Sequence, residues 1–561
     1  MKIFDTRTIK GDLFGGITAG IVALPLAMAF GVQSGLGAEA GLYGAIAIGI
    51  VAAIFGGTKT QISGPTGPMT VVSTLVAASL MQQAPNLEVG LAMVFLTFFL
   101  SGVIQIIFGF TQVGKMVQFI PYPVVSGFMS GIGLIIIFLQ LFPLVGHKSP
   151  GKIVDVFANL AVPLKHMNGQ AFLLGLLTIA IIYLFPRITK VVPSALVALI
   201  VVSLVPQFVA MDIPKIGDIP EGLPHLNFGI FSGLSLSSIG LVIVPAITLA
   251  ALGAIDSLLT SIVADNITKT KHNSNRELIG QGLGNMMAAL IGGIPGAGAT
   301  MRTVVNVRSG GRTRVSGVVH GVFLLIVLLG LGRYAAEIPL SVLAGILITV
   351  GIGIIDYKGL RDIMKVPRAD AVVKITVVAM TVFVDLLWAV GAGLVLSALF
   401  FVKRSAEQAH ESSTMDPAND HPDSDDGLKE ASINHAGKVF IQEFHGPLFF
   451  GFSSKFQDQY NNSPDMKAVV FRCEHLSFVD QSGMYALMEV INDLNNKDTW
   501  VIFTGLSKNV REQFEKLGII PGLVPASHCF EDFEKATSWL VGNLKDKGTK
   551  KTEELFANQL T

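Results

Sequence analysis

Two stretches of this chain repeat one another and break in the same way. Ala52-Ala53-Ile54-Phe55-Gly56-Gly57 leads into Thr58-Lys59-Thr60-Gln61-Ile62-Ser63-Gly64-Pro65-Thr66-Gly67-Pro68-Met69-Thr70. Then, 236 residues after the first run begins, Ala288-Ala289-Leu290-Ile291-Gly292-Gly293 leads into Ile294-Pro295-Gly296-Ala297-Gly298-Ala299-Thr300-Met301-Arg302-Thr303. Each break is followed by an apolar segment too short for its surroundings. A helix over 69–81 measures about 20 Å at ~1.5 Å per residue, and one over 300–308 is shorter still. A hydrocarbon core is ~30 Å thick, so neither helix crosses alone. The residues before them, Gln61-Ile62-Ser63 and 295–299, are expected to run extended to about the midplane, which lipid tolerates only where the backbone faces a cavity. Interrupted segments at matching places in two halves of a chain point to a transporter's binding site.

The rest of the chain up to residue 404 supplies the membrane context. Hydrophobic residues make up 51% and charged residues 14%, too apolar for a soluble protein, and 561 residues are too many for one compact domain. Apolar stretches predict fourteen spans. The first seven lie near 13–31, 40–55, 68–82, 90–110, 122–144, 170–186 and 193–210, and the second seven near 241–263, 276–292, 299–308, 315–332, 338–355, 370–384 and 386–402. With the N-terminus inside, Lys59, Lys115, Arg187, Lys190, Lys269, Lys271, Arg276, Arg308, Arg312, Arg314, Lys358, Arg361, Lys365, Arg368, Lys403 and Arg404 are cytoplasmic. Lys148, Lys152, Lys165, Lys215 and Arg333 fall on the other side. Seven is odd, so two seven-span repeats, about 11–212 and 238–404, lie in the bilayer with opposite topology. No cleavable leader is visible before the first span, which is expected to be retained.

Several function classes drop out. A formal net charge of zero argues against a nucleic-acid partner. Two cysteines, Cys473 and Cys529, make neither a disulfide framework nor a cysteine metal site. No Walker-type loop, His/Glu metal box or nucleophile elbow is present, so neither ATP-driven transport nor an enzyme is expected.

The chemistry gathers at the breaks. A helix N-terminus offers unpaired N–H groups and a partial positive charge, so two short helices starting at the midplane form an anion site. Thr66 and Thr300 stand at these starts, while Gly64, Gly67, Gly296 and Gly298 let an ion approach the backbone. Arg302 adds either a fixed positive charge for the anion or one half of a structural ion pair. Asp256 lies in a span otherwise free of charge, where an ionisable group marks a functional site. Thr260, four residues on, shares its helical face, and carbonyls near Gly298 complete an oxygen shell for a hard cation. His320, in the eleventh span, reads as a hydrogen-bonded packing residue.

After Arg404 the composition turns acidic, and 405–435 is expected to be a flexible linker. An α/β domain follows over 436–545, with strands near 439–444, 468–472 and 500–503 and helices led by Met484 and Ser507. The last residues, 546–561, read as a polar tail. Asp480-Gln481-Ser482-Gly483 opens a helix, either as an ordinary Asp480 cap or as an anion or phosphate site.

These residues resemble the SulP family of anion transporters over essentially the whole chain. The resemblance rests on Gly41-Leu42-Tyr43-Gly44 with the run from Phe55 to Pro68, and on Asp480 to Gly483 as in a STAS domain. It implies a polytopic α-helical membrane protein of the plasma membrane. Fourteen spans form two inverted seven-span repeats, arranged as core and gate domains with two half-helices, plus a C-terminal cytoplasmic STAS domain and usually a homodimer. Within the family the sequence is most similar to the BicA-type sodium-dependent bicarbonate transporters, through Gln61 to Thr70 and the Asp256/Thr260 pair. Many relatives carry Glu in place of Asp256. On this resemblance Asp256, Thr260, Gly298 and Thr300 take sodium, and Thr66, Ala299 and Thr300 face bicarbonate, with no cofactor beyond the coupling ion. Ser482 stands where bacterial anti-sigma antagonists carry a phosphorylated serine, which makes it a regulatory candidate. The expectation is sodium-coupled bicarbonate uptake by elevator-type alternating access. The alternatives are proton-coupled sulfate or dicarboxylate symport, and an anion sensor signalling through the STAS domain.

Overall fold

The computed structural model describes residues 8–114, 120–150, 153–189, 192–217, 225–233, 236–384, 386–434, 438–461 and 463–544. Lys115, Lys152 and Lys190 and the expected tail 546–561 lie outside them. The chain divides into two compact units, Met1–Ser397 and Ala398–Thr561.

All fourteen expected spans are helices. The first half holds α1 (Ile9–Gln33), α2 (Ala38–Phe55), α3 (Gly67–Gln83), α4 (Leu87–Phe110) and α5 (Tyr122–Leu144). Two short helices, α6 (Ile153–Ala158) and α7 (Ala161–Lys165), precede α8 (Gly169–Leu184) and α9 (Ser194–Phe208). The second half holds α10 (Leu236–Thr268), α11 (Ser274–Leu290), α12 (Thr300–Arg308), α13 (Arg314–Ala335) and α14 (Leu340–Ile354). The short α15 (Tyr357–Arg361), then α16 (Arg368–Phe383) and α17 (Leu386–Ser412), complete it. Among the described residues seven helices are long and apolar enough to cross a membrane unaided, and α3, α11 and α12 are not among them. Leu173, Leu176, Ile200, Leu204, Ile326 and Leu329 are at least half exposed, an aliphatic surface suited to lipid.

Packing sorts the helices into two groups. Helices α1 to α4 pack with α10 to α13, while α5, α8 and α9 pack with α14 and α16. The first four spans of each half therefore make one body, a core, and later spans make a second, a gate. Contacts come in exchanged pairs: α11 on α4 matches α2 on α13, α1 on α13 matches α10 on α4, and α16 on α5 matches α14 on α8. Such reciprocity is what an inverted repeat requires. At its centre β1 (Ser63–Gly64) pairs antiparallel with β2 (Ala297–Gly298), Ser63 opposite Gly298 and Gly64 opposite Ala297. Fewer residues separate the glycine pair from the strand in the second half, so the repeat offset shrinks from 236 to 234 there.

The gate is tied at one end by Asp356, just after α14. Its carboxylate accepts from Tyr122 Oη at 2.6 Å and from Ser126 Oγ on α5, and from its own Gly359 N–H at 3.0 Å. It also pairs with Lys374 Nζ of α16 at 3.4 Å. Burial alone would raise its pKa, but the Ser126, Tyr122 and Gly359 hydrogen bonds and the Lys374 charge together hold it far below the usual carboxylate range.

In the C-terminal unit the five-stranded sheet runs β3 (Met415–Pro417), β4 (Val439–Leu448), β5 (Ala468–Val479), β6 (Trp500–Thr504), β7 (Cys529–Phe530), with β3 antiparallel and the rest parallel. Helices α19 (Phe450–Asn461), α20 (Gln481–Asn496) and α21 (Lys508–Lys516) cover it, with a further helix over 533–544. The linker expected over 405–435 is not what forms. Helix α17 continues to Ser412 and buries Ala406 and Ala409 in the domain's core, β3 joins the sheet, and α18 (Asp426–Asn434) buries Leu428 and Ala431. The acidic residues that suggested disorder have fixed partners: Asp423 accepts from Arg472 at 2.6 Å, and Asp425 receives the Leu428 N–H at 2.7 Å.

The Asp356 clamp yields a test. Asp356→Ala leaves Lys374 buried without its counter-charge and should lower stability by roughly 2–4 kcal/mol, read as melting temperature in detergent, with Lys374→Met in the same chain recovering part of the loss. A depressed pKa places this contribution above the unfolded carboxylate range and removes it only as pH falls through the folded value, so the loss should be constant between pH 6 and 8.

Candidate functional site

The two strands meet where the two half-helices begin. Thr66 is the residue before α3, with extended backbone, and Ala299 is the residue before α12. Neither supplies a capping side chain to its helix. Thr66 instead donates its hydroxyl to Asp256 Oδ2 at 2.8 Å, so Thr66 is not the simple helix cap its position suggests. First-turn N–H groups at both helix starts therefore remain open to an anion.

Helix α10 supplies the opposite wall. Asp256 is partly exposed, and among the described residues no cationic nitrogen lies within 4.0 Å of it. One turn on, Thr260 donates to the Gly298 carbonyl at 2.9 Å and lies 2.7 Å from the Thr300 hydroxyl. Ser257, between them, receives the Gly298 N–H at 3.1 Å. A Cβ on Gly298 would sit 2.2 Å from Gln61 Nε2, so a side chain here would push the Gln61 amide aside. Five of the expected site residues, Thr66, Asp256, Thr260, Gly298 and Thr300, thus come together. Their oxygens carry one formal charge, which suits a monovalent hard cation. Among the described residues no three His, Cys, Asp or Glu side chains gather to hold a metal.

Arg302 behaves differently from the expected anion ligand. It is 2% exposed and turns back to donate Nη2 to the Pro65 carbonyl at 2.5 Å, tying α12 to the turn that starts α3. The structural ion pair considered for it with Asp256 does not form at contact distance. His320 also departs from expectation. It is fully buried, and among the described residues neither ring nitrogen has a hydrogen-bond partner. Ser482 lies exposed on the first turn of α20, and Asp480 caps that helix through the Gly483 N–H at 2.8 Å.

Sequence reasoning missed the residue that holds the site in place. Glu277, in the first turn of α11 and 1% exposed, accepts the Gly57 and Thr58 N–H groups at 2.8 and 2.7 Å. Its other oxygen takes Gln61 Nε2 at 2.9 Å and Gln281 Nε2 at 2.8 Å. Gln61 then accepts from Ser261 of α10 at 2.9 Å, and Gln281 donates to Ser63 at 2.6 Å. A charged residue at the mouth of an apolar span was the only local signal.

Comparisons with known proteins identify the family and the fold. Residues 9–377 match the sulfate permease family and 430–536 match the STAS domain. The chain is 42% identical over 537 residues to the bicarbonate transporter BicA of Picosynechococcus, covering 94% of each. It is 31% identical to the putative sulfate transporter YvdB of Bacillus subtilis, covering 96% of this chain and 98% of that one. Among solved structures, the transmembrane domain of a cyanobacterial BicA superposes with TM-score 0.64 at 47% identity, over 69% of this chain and 98% of that one. Murine solute carrier 26 family member A9 gives TM-score 0.80 at 20% identity over 96% and 92%, a likeness of fold. The relatives are named as transporters, not enzymes.

Replacing Glu277 by Gln turns one of two acceptor atoms into a donor facing N–H groups. The expected cost is roughly 2–4 kcal/mol of thermal stability together with loss of anion uptake. Unchanged melting and unchanged uptake would show that the strand does not depend on this clamp.

Proposed function

This chain belongs to the sulfate permease (SulP) family of anion transporters, and from that premise we propose that it takes up bicarbonate coupled to sodium, by moving its core helices against its gate helices. The observation that carries the reading is Asp256, a carboxyl group with no cation in contact among the described residues, bonded to Thr66, the residue before α3. The helix ends favour an anion and Asp256 opposes it. At ~5 Å and an effective dielectric near 20, the carboxylate costs a bound anion roughly 3 kcal/mol. A sodium ion among Asp256, Thr260, Gly298 O and Thr300 removes that cost, so each ion favours the other. Symport follows without further machinery.

The similarity to transporters named for bicarbonate supports bicarbonate as the anion, and Thr66, Ala299 and Thr300 are the residues proposed to face it. The separate packing of core and gate supports rigid-body movement, because both half-helices and α10 travel in one body. Sulfate is the second reading, favoured by the relative named for sulfate. The orientation with the N-terminus and STAS domain in the cytoplasm follows from the loop cations.

Labelled bicarbonate uptake into proteoliposomes should collapse when choline replaces sodium at fixed pH, while uptake that instead follows a proton gradient removes the sodium assignment. Asp256→Asn should abolish the sodium stimulation in a protein that still folds; full sodium-stimulated transport by this variant would sink the role given to Asp256.

A further inference from the structure

The two halves of the core treat the central strands differently, and the difference isolates two buried polar groups. On α11, Gln281 and Asn285 reach the strands. Gln281 donates to Ser63, and Asn285 bonds the Gly296 N–H at 2.8 Å, the Gly296 carbonyl at 3.1 Å and Gln105 at 2.7 Å. The repeat offset of 236 places Ala45 and Gly49 of α2 at the equivalent positions. Where one half has an amide, the other has almost no side chain. Arg302 and His320 approach that surface from α12 and α13. A Cβ on Gly64 would lie 2.9 Å from Arg302 Nη1 and 3.3 Å from Ala45 Cα, and a Cβ on Gly49 would lie 2.8 Å from His320 Nδ1 and 3.5 Å from the Ser63 carbonyl oxygen. Among the described residues, Arg302 Nη1 and both His320 nitrogens are buried without a partner.

The strand register directs a third group to the same place. The Ala299 N–H donates to Ile62 O at 2.8 Å, and hydrogen-bonded pairs alternate along an antiparallel ladder, so Ser63 and Gly298 form a pair whose polar groups point away from each other. Gly298 turns its groups to Ser257 and Thr260. The Ser63 carbonyl therefore faces α2 and α13. Ala45 and Gly49 are four residues apart on one helix face, so Arg302 Nη1, beside Gly64 and Ala45, and His320 Nδ1, beside Gly49, approach neighbouring positions on α2.

We propose that one buried water joins Arg302 Nη1, His320 Nδ1 and the Ser63 carbonyl, and that His320 is through it the positioning residue for Arg302. At the water the donors and acceptors balance: it accepts from Arg302 and donates to Ser63 O and to Nδ1, leaving the ring proton on Nε2, which keeps no partner among the described residues. Three polar partners are what a buried water normally has. The role rests on the proposed anion site, because Arg302 pins the Pro65 turn that starts α3. With Nη1 satisfied, the guanidinium has one orientation and the Pro65 bond is held.

The experiment measures uptake kinetics with whichever anion the unsubstituted protein carries, so failure of the bicarbonate assignment does not decide it. His320→Leu should raise KM about tenfold with kcat within about twofold, and His320→Gln, which keeps an acceptor, should return KM to within about threefold of the original. Gly49→Ala puts a methyl 2.8 Å from His320 Nδ1 and 3.5 Å from the Ser63 carbonyl oxygen, which excludes a water joining them, and should raise KM in the same way. KM unchanged in His320→Leu or in Gly49→Ala overturns the proposal, as does His320→Gln being as impaired as His320→Leu. If His320→Leu fails to fold, Gly49→Ala and His320→Gln decide.

Discussion

A bilayer offers a peptide group no hydrogen-bond partner, and this chain brings two extended segments to the middle of one. Every other feature of the core answers that constraint. The segments pair with each other through β1 and β2, and the groups that the pairing leaves over go to side chains: Gly298 to Ser257 and Thr260, Ile62 N–H to Thr303 at 3.0 Å, and Gly57 and Thr58 to Glu277. Glu277 is thus less a charge than a four-fold acceptor. Its four donors repay the cost of burying a carboxylate, and it fixes the approach to the first strand as Asn285 fixes the approach to the second.

Once the strands are held, the remaining chemistry is electrostatic. Two helix ends with no capping side chain present N–H groups, while the Asp256 carboxyl stands beside the first of them. On the proposed reading, such a site binds an anion poorly alone and well beside a cation. Arg302, by charge alone the natural anion ligand, donates Nη2 to the Pro65 carbonyl and so holds the turn that starts α3. In the proposed mechanism, the lack of direct pairing between this charge and Asp256 leaves the carboxylate to a second ion.

The spans and both breaks were legible in the chain because hydropathy and Gly/Pro punctuation are local signals. So was the shared face of Asp256 and Thr260, which needs only the helical period. What stayed hidden depends on partners far away in sequence. Glu277 acts on Gly57, 220 positions earlier. The acidic stretch 405–435 read as a linker because Asp423 finds its cation in Arg472, 49 positions on, and Leu428 its core only once β4 and β5 are in place. The Pro65 contact of Arg302 was not legible, because a charge at a helix start says nothing about which way its side chain turns. His320 reads as ordinary until the two halves are superposed and Gly49 is seen to stand where its counterpart is Asn285.

Mutual dependence of the two ions at Asp256 is the centre of this account, and binding tests it more directly than transport. Sodium affinity of the purified protein in nanodiscs, titrated by calorimetry at several bicarbonate concentrations, should rise with bicarbonate. Bicarbonate affinity should rise with sodium by the same factor, about 10-fold to 100-fold, and both effects should vanish in Asp256→Asn. Sodium and bicarbonate affinities that are independent of one another in the unsubstituted protein would contradict it.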